Sequence, residues 1–387
     1  MRWGRQPPYA VAGVAGPTGA GRQALRGWLL SGVVLVGFAF AAVVVAAYYG
    51  ATLGLVTTLF AILLAALPLG VVIPSFLWLD RFEAEPNRYL AVAFLWGALV
   101  AALVAGVFNT GAELAFRSAT GTATTAMAAT ALLSAPLVEE ACKGLLVVLV
   151  WRLRRREFDG IVDGMVYAGI VAAGFAFTEN IQYLGLAYQQ GGGQALTGTF
   201  VARCLMSPFA HPMFTLLTGI GVGIAATTRS RVLVVLAPVG GYLLAAISHS
   251  LWNLGSLRAG GGSVGVFVGV EIPVFFAFVA FVVWARRREG RLIGRYLSEY
   301  ADAGWLSPSE VQMLSTMAGR RTAKVWARST GGVAALRAMR RFQDTASELA
   351  LLRGRMHHLA ADATALETER QLLGAITARR RELLGVP

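Results

Sequence analysis

Charge is scarce in this chain. Asp, Glu, Lys and Arg make up 14% of its 387 residues, against about 25% in a soluble domain. Long stretches carry none, and 56% of the residues are hydrophobic, which excludes an ordinary soluble enzyme. Cysteine is nearly absent: Cys142 and Cys204 both lie in apolar stretches and form no CxxC pair, so a disulfide framework is excluded. Acidic residues are outnumbered by 34 Lys+Arg to 21 Asp+Glu, a formal net charge of +13. In a soluble protein that balance would suggest nucleic acid. Here the basic residues sit in loops and a C-terminal tail, so the charge points to membrane topology and anionic lipid, with no nucleic-acid partner. Several motifs are missing too. There is no HExxH, no GxxxxGK[ST] and no GxGD. Gly261-Gly262-Ser263-Val264-Gly265 spells GxSxG, but it lies in a glycine-rich loop rather than a strand-to-helix turn. No internal repeat of the kind expected in a transporter is present.

What the chain does have is apolar runs. A transmembrane helix needs about 20 mostly apolar residues, and eight stretches qualify, near 27–49, 52–79, 88–110, 126–151, 160–185, 200–227, 231–255 and 264–285. The fold class is therefore all-α, a polytopic bundle. Tyr48, Tyr49 and Gly50 offer a turn between the first two spans. Orientation follows from the arginines. With eight spans, Arg81, Arg88, Arg152, Arg154, Arg155, Arg156, Arg229, Arg231 and Arg286–Arg288 all fall on one side, leaving only Arg117 and Arg258 in the loops opposite. That asymmetry predicts a multi-pass protein of the cell membrane with both termini cytoplasmic. Three parts result: a disordered N-terminus over 1–26, a membrane domain over 27–285 and a basic helical tail over 286–387. In the tail Ser307-Pro308-Ser309-Glu310 reads as a helix start. Phe342, Leu349, Met356, Ala363 and Arg370 recur every seventh residue, as do Thr345, Leu352, Leu359, Leu366 and Leu373. This heptad seam fits either a helix folded back on its own tail or self-association through a coiled coil.

Ionisable groups inside a bilayer cost a few kcal/mol each, so they are paired or kept for function. The spans hold Glu139, Glu140 and Lys143, then Glu179 beside Asn180, then Arg203 and His211, then His249 and Asn253, and finally Glu271. Glu139 and Lys143 share a helix face, as do His249 and Asn253. Adjacent glutamates diverge by about 100°, so one is expected to pair with Lys143 and the other to face the site. Carboxylates, two histidines and a side-chain amide are the parts for peptide hydrolysis: a glutamate as base on water, a histidine to orient that water or protonate the leaving amine, Asn253 to donate to the oxyanion. The same residues have structural readings. Glu139 or Glu140 with Lys143 is a packing ion pair, Arg203 and Glu271 snorkel, and Asn180 and Asn253 join helices.

Taken in order, Glu139-Glu140-x-x-Lys143, then Gly174-Phe175-Ala176-Phe177-Thr178-Glu179-Asn180-Ile181-x-Tyr183, then Arg203 with Pro208-x-x-His211, then His249-x-x-x-Asn253 resembles the PrsW family of intramembrane proteases. Asp163-Gly164-x-x-Tyr167 also looks like that family's approach to its second motif. The family is similar to the wider glutamate-type group of CAAX prenyl proteases and bacteriocin-immunity proteins. This chain has Glu179 where that group's FxxxH motif has His, and it adds His211, both of which favour the PrsW branch. The resemblance implies an intramembrane endopeptidase that cuts a membrane-spanning protein such as an anti-sigma factor. Glu139, Glu140, Glu179, His211, His249 and Asn253 are the expected catalytic residues, with Lys143, Asn180 and Arg203 in support. The expected chemistry is glutamate-activated water without a cofactor. The alternatives are Zn²⁺ held by His211, His249 and a glutamate, or a non-enzymatic transporter, scaffold or immunity protein.

Overall fold

The computed structural model describes residues 20–155, 158–258, 269, 272–358 and 363–384. Every element among them is helical. The first helix, α1 (Ala20–Leu53), starts before the expected edge at 27 and runs through Tyr48 and Tyr49. The turn comes instead at Gly54, whose φ of 79° favours glycine. Tyr49 is thereby an interior residue, and its hydroxyl donates to the Thr178 carbonyl at 3.1 Å. After the turn come α2 (Leu55–Ala66) and α3 (Leu69–Leu79). α4 (Asn87–Leu95) passes through a π-helical turn, Trp96–Ala101, into α5 (Ala102–Thr120). α6 (Ala123–Ala129) likewise passes through Thr130–Ser134 into α7 (Ala135–Leu153).

The centre of the bundle is α8 (Ile161–Phe200). A helix apolar on every side belongs in an interior, and Val162–Phe175 is buried without interruption. Gly191 and Gly192 leave helical φ/ψ, so the backbone breaks there and divides α8 into two helices. A π-turn over Val201–Met206 and a break at Ser207 then lead to α9 (Ala210–Thr227), which packs back along α8. Small residues let the two backbones touch. A Cβ on Gly164 would lie 2.0 Å from the Gly219 carbonyl oxygen, and one on Gly219 would lie 2.2 Å from that of Gly164. Gly174 is as tight, its Cβ position being 2.1 Å from the Phe94 carbonyl oxygen.

α10 (Arg231–Arg258) closes the bundle against α9. Five segments among the described residues are long and apolar enough to cross a membrane: Gly32–Leu53, Leu55–Leu79, Asn87–Thr120, Ile161–Thr227 and Arg231–Arg258. One of them, Ile161–Thr227, is 67 residues long, too long for a single crossing. α6–α7 is not among the five; it carries Glu139, Glu140 and Lys143. The start of the expected last span, 264–268 and 270–271 with Glu271, and the GxSxG stretch lie outside the described residues.

No break marks the expected boundary at 286. α11 (Ile272–Asp302) runs straight through it into the tail. Ser307 caps α12 (Pro308–Leu314) as expected: its hydroxyl accepts from the Glu310 amide at 3.2 Å, and Glu310 accepts from the Ser307 amide at 2.7 Å. α13 (Met317–His358) and α14 (Ala363–Leu384) fold back against α11. Phe342, Leu349, Leu352 and Leu373 of the heptad seam are buried within this one chain against Ile293 and Leu297. Leu359 of the seam lies outside the described residues.

Candidate active site

α7, α8, α9 and α10 bring most of the expected residues to one buried cluster. Adjacent on α7, Glu139 and Glu140 diverge as helix geometry requires. Glu140 is fully buried and takes three donors: Lys143 Nζ at 2.6 Å and His249 Nδ1 at 3.2 Å on Oε1, Thr215 Oγ1 at 2.7 Å on Oε2. Lys143 also donates to His211 Nδ1 at 3.2 Å and rests over the Phe175 ring at 4.3 Å. It is therefore Glu140 that pairs with the lysine.

Glu139 faces inward differently. Its Oε1 accepts from Asn109 Nδ2 at 3.2 Å, and Ser134 donates to Asn109 Oδ1 at 2.9 Å. Its Oε2 is buried without a hydrogen-bond partner, 4.0 Å from His249 Nε2 and 3.9 Å from Lys143 Nζ. An unpartnered buried carboxylate oxygen is costly and calls for an explanation.

Each histidine sets one ring nitrogen on a carboxylate. His249 places Nδ1 on Glu140 and turns Nε2 toward Glu139. His211 gives Nε2–H to Glu179 at 2.7 Å, which leaves Nδ1 toward Lys143. The two rings meet edge-on with centroids 5.2 Å apart, and Phe214 stacks on His249 at 5.0 Å. Glu179 is also bound by Arg203, whose Nε donates to Asn180 Oδ1 at 2.8 Å and whose guanidinium lies 3.9 Å over the Tyr183 ring. Arg203 and Asn180 thus form one strut behind Glu179, while the third supporting residue, Lys143, pairs with Glu140.

Asn253 goes elsewhere. Its amide donates to the Ala131 carbonyl at 2.8 Å, while Ser250 donates to the Leu132 carbonyl at 2.9 Å. Both carbonyls belong to the π-turn Thr130–Ser134 just before α7. A π-turn disrupts the regular ladder and is common at functional sites. Here α10 satisfies its carbonyls and so sets where α7 presents Glu139. Asp163-Gly164-x-x-Tyr167 also lies away from the cluster, at the start of α8, where Tyr167 donates to Glu85 at 2.7 Å.

Sequence reasoning missed Asn109, Ser134, Thr215 and Phe214. Two of them left a signal. Asn109 is an amide in an apolar span, which needs a partner, and Thr215 falls four residues after His211 on the same face.

The donor set Glu139, His211 and His249 has ligand atoms within 4.8 Å of one another. Two imidazoles and one carboxylate, each imidazole oriented by a further carboxylate, match the composition of catalytic zinc sites.

The PrsW family intramembrane metalloprotease profile matches residues 85–284. A protease PrsW of Geobacillus kaustophilus (strain HTA426) is 34% identical over 166 residues, 43% of this chain and 67% of that protein. Another, of Clostridioides difficile (strain 630), is 28% identical over 154 residues, 36% of this chain and 55% of that protein. No solved structure matches. All four elements of the cluster lie within the matched region, and the chain belongs to the PrsW family of proteases.

Proposed function

We propose that this chain is an intramembrane endopeptidase whose water is activated at Glu139, His211 and His249, with a divalent metal such as Zn²⁺ held by those three residues. The observation that carries the reading is the unpartnered Glu139 Oε2 facing two imidazoles that are each already tied to a carboxylate. When bound, Zn²⁺ supplies Lewis-acid polarisation of a water and of the scissile carbonyl. The chain's own residues do the rest. Glu140 fixes the ring of His249 and its tautomer. Lys143 neutralises Glu140 and keeps that carboxylate from swinging into the site. Glu179, held by Arg203, fixes the ring of His211 and its tautomer through Nε2. The substrate is a membrane-spanning protein, an anti-sigma factor being one candidate. With both termini cytoplasmic, the cluster falls between the midplane and the outer surface, so the cut falls near the outer boundary of the substrate's span.

A second reading rests on Lys143. Its ammonium already sits among the proposed ligand atoms, 3.2 Å from His211 Nδ1 and 3.9 Å from Glu139 Oε2. That placement favours a metal-free site in which Glu139 itself is the base on water. The deciding experiment measures metal content and cleavage of a single-span substrate together. The metal reading expects about one equivalent of Zn²⁺ per purified chain, its loss in Glu139→Gln and His249→Ala, and inhibition by chelators that added Zn²⁺ reverses. Full activity in stripped protein would overturn it in favour of the glutamate mechanism.

A further inference from the structure

Away from the protease cluster, a cavity of about 570 Å³ opens where the membrane helices meet the tail. Three parts of the chain wall it. The end of α3 and the residues after it supply Trp78 and Phe82, α11 supplies Arg286, Arg287 and Arg291, and the start of α13 supplies Thr316 and Met317. Gly290 brings α11 close to the turn before α13: a Cβ there would lie 2.7 Å from the Ser315 carbonyl oxygen and 2.9 Å from the Phe82 ring.

The wall is cationic in an unusual way. Arg287 and Arg291 are exposed, but Arg286 is only 7% exposed, and its Nε has no hydrogen-bond partner. Its guanidinium lies flat on Trp78, 3.7 Å from the ring centroid. Burial and the nearby Arg81 pull its pKa down to about 10, so the charge persists at neutral pH while its donor goes unused. The first turn of α13 faces the same space, and helix N-termini favour anions. The depth is that of a bilayer surface: Trp78 ends the apolar segment Leu55–Leu79, and Arg286 follows an apolar run that ends at Ala285.

We propose that this cavity binds the phosphate of an anionic phospholipid, with Arg286, Arg287 and Arg291 and the start of α13 on the headgroup and the acyl chains along Trp78. Planar guanidinium groups suit phosphate oxygens, and Trp at the membrane boundary has both an apolar face and a polar edge. Bound there, the lipid joins the second apolar segment, α11 and the tail, so tail docking responds to the lipid around it. This site is independent of the protease chemistry.

The test places the full chain in nanodiscs of mixed phosphatidylcholine and phosphatidylglycerol and releases it for native mass spectrometry. Wild type should retain phosphatidylglycerol in preference to phosphatidylcholine. Arg287→Gln with Arg291→Gln, both at exposed positions, should weaken that retention about tenfold or more. Arg337→Gln with Arg341→Gln, exposed on α13 away from the cavity, should weaken it far less. Arg286→Lys should keep the charge yet lose part of the preference. Equal retention of both lipids, or equal loss in the two arginine pairs, would overturn the proposal. So would a thermal shift with inorganic phosphate that needs Arg287 and Arg291 while phosphatidylglycerol gives none, because the ligand would then be free phosphate.

Discussion

Two buried acidic clusters lie along α8, one at its start and one around Glu179 near its middle, and they are built on different rules. In the protease cluster each carboxylate has donors, supplied by Lys143, His249, Thr215, His211, Arg203 or Asn109, and Glu139 Oε2 is the oxygen buried without one. At the start of α8 Asp80, Glu83, Glu85, Asp163 and Glu289 crowd together, and Asp80 Oδ1, Glu83 Oε2 and Glu289 Oε2 are buried without partners. The first cluster is neutralised by fixed cations and basic rings and holds one geometry. The second has donors on some of its oxygens, the Glu85 amide on Asp80 and Tyr167 on Glu85, but its buried carboxyl groups are held toward their protonated forms. Burial, with Asp163, Glu85 and Glu289 nearby, pushes Asp80 up to about 9, against a hydrogen bond from the Glu85 amide. Burial likewise pushes Glu83 up to about 8 and Glu85 to about 7. The contrast teaches that a carboxylate's burial alone does not mark an active site; what it is paired with does.

The largest effect should come from the buried oxygen of the first cluster that lacks a hydrogen bond, Glu139 Oε2. Glu139→Gln should lower cleavage of a single-span substrate by about 10²- to 10⁴-fold, with the thermal midpoint in detergent little changed, since Oε2 has no hydrogen bond to lose. A matching loss of stability would mean that Glu139 is a packing residue like its neighbour.

Removing a partner from the paired cluster should act on the fold instead. Lys143→Met strips the ammonium from a fully buried Glu140 and should destabilise the chain by about 3–5 kcal/mol, read from its denaturation midpoint. A neutral result would show that His249 and Thr215 suffice to hold Glu140.

The acidic cluster at the start of α8 should respond to pH. Its carboxyl groups bind protons more tightly folded than unfolded, so stability at this junction is full at low pH. It should fall as pH rises from about 4, the ordinary carboxylate value, through about 9. Hydrogen exchange of the Phe82–Glu85 backbone should quicken across that window, and Asp80→Asn should flatten the dependence. A rate that follows only intrinsic exchange chemistry would erase the contrast.

The smallest effect separates two roles for one residue. If Asn253 serves the π-turn carbonyl of Ala131, Asn253→Ala should cost about 1 kcal/mol of stability and only several-fold in cleavage. A loss of about 10²- to 10³-fold in cleavage at unchanged stability would return it to the oxyanion role.

Much of the helical character was legible because apolar runs of membrane length can be counted without knowing their neighbours. Their edges were less so. Nothing local says that Gly54 rather than Gly50 makes the first turn. The heptad seam could not choose between another copy and its own chain, because an apolar stripe does not name what covers it. Folding against α11 buries Phe342, Leu349 and Leu352 within one chain.

By itself the sequence determined which residues could carry chemistry, since charges that cost energy in an apolar span are few and fall on predictable helix faces. It also determined that Glu139 and Glu140 must diverge. Only the tertiary structure decided which of them meets Lys143. That choice depends on where α9 brings Thr215 and His211 and where α10 brings His249. It likewise sent Asn253 to a backbone carbonyl and Tyr167 to Glu85. Side-chain partners across helices depend on rotation and depth, and those are set by the touching backbones of Gly164 and Gly219 and by the π-turns, features of packing that no single stretch of sequence contains.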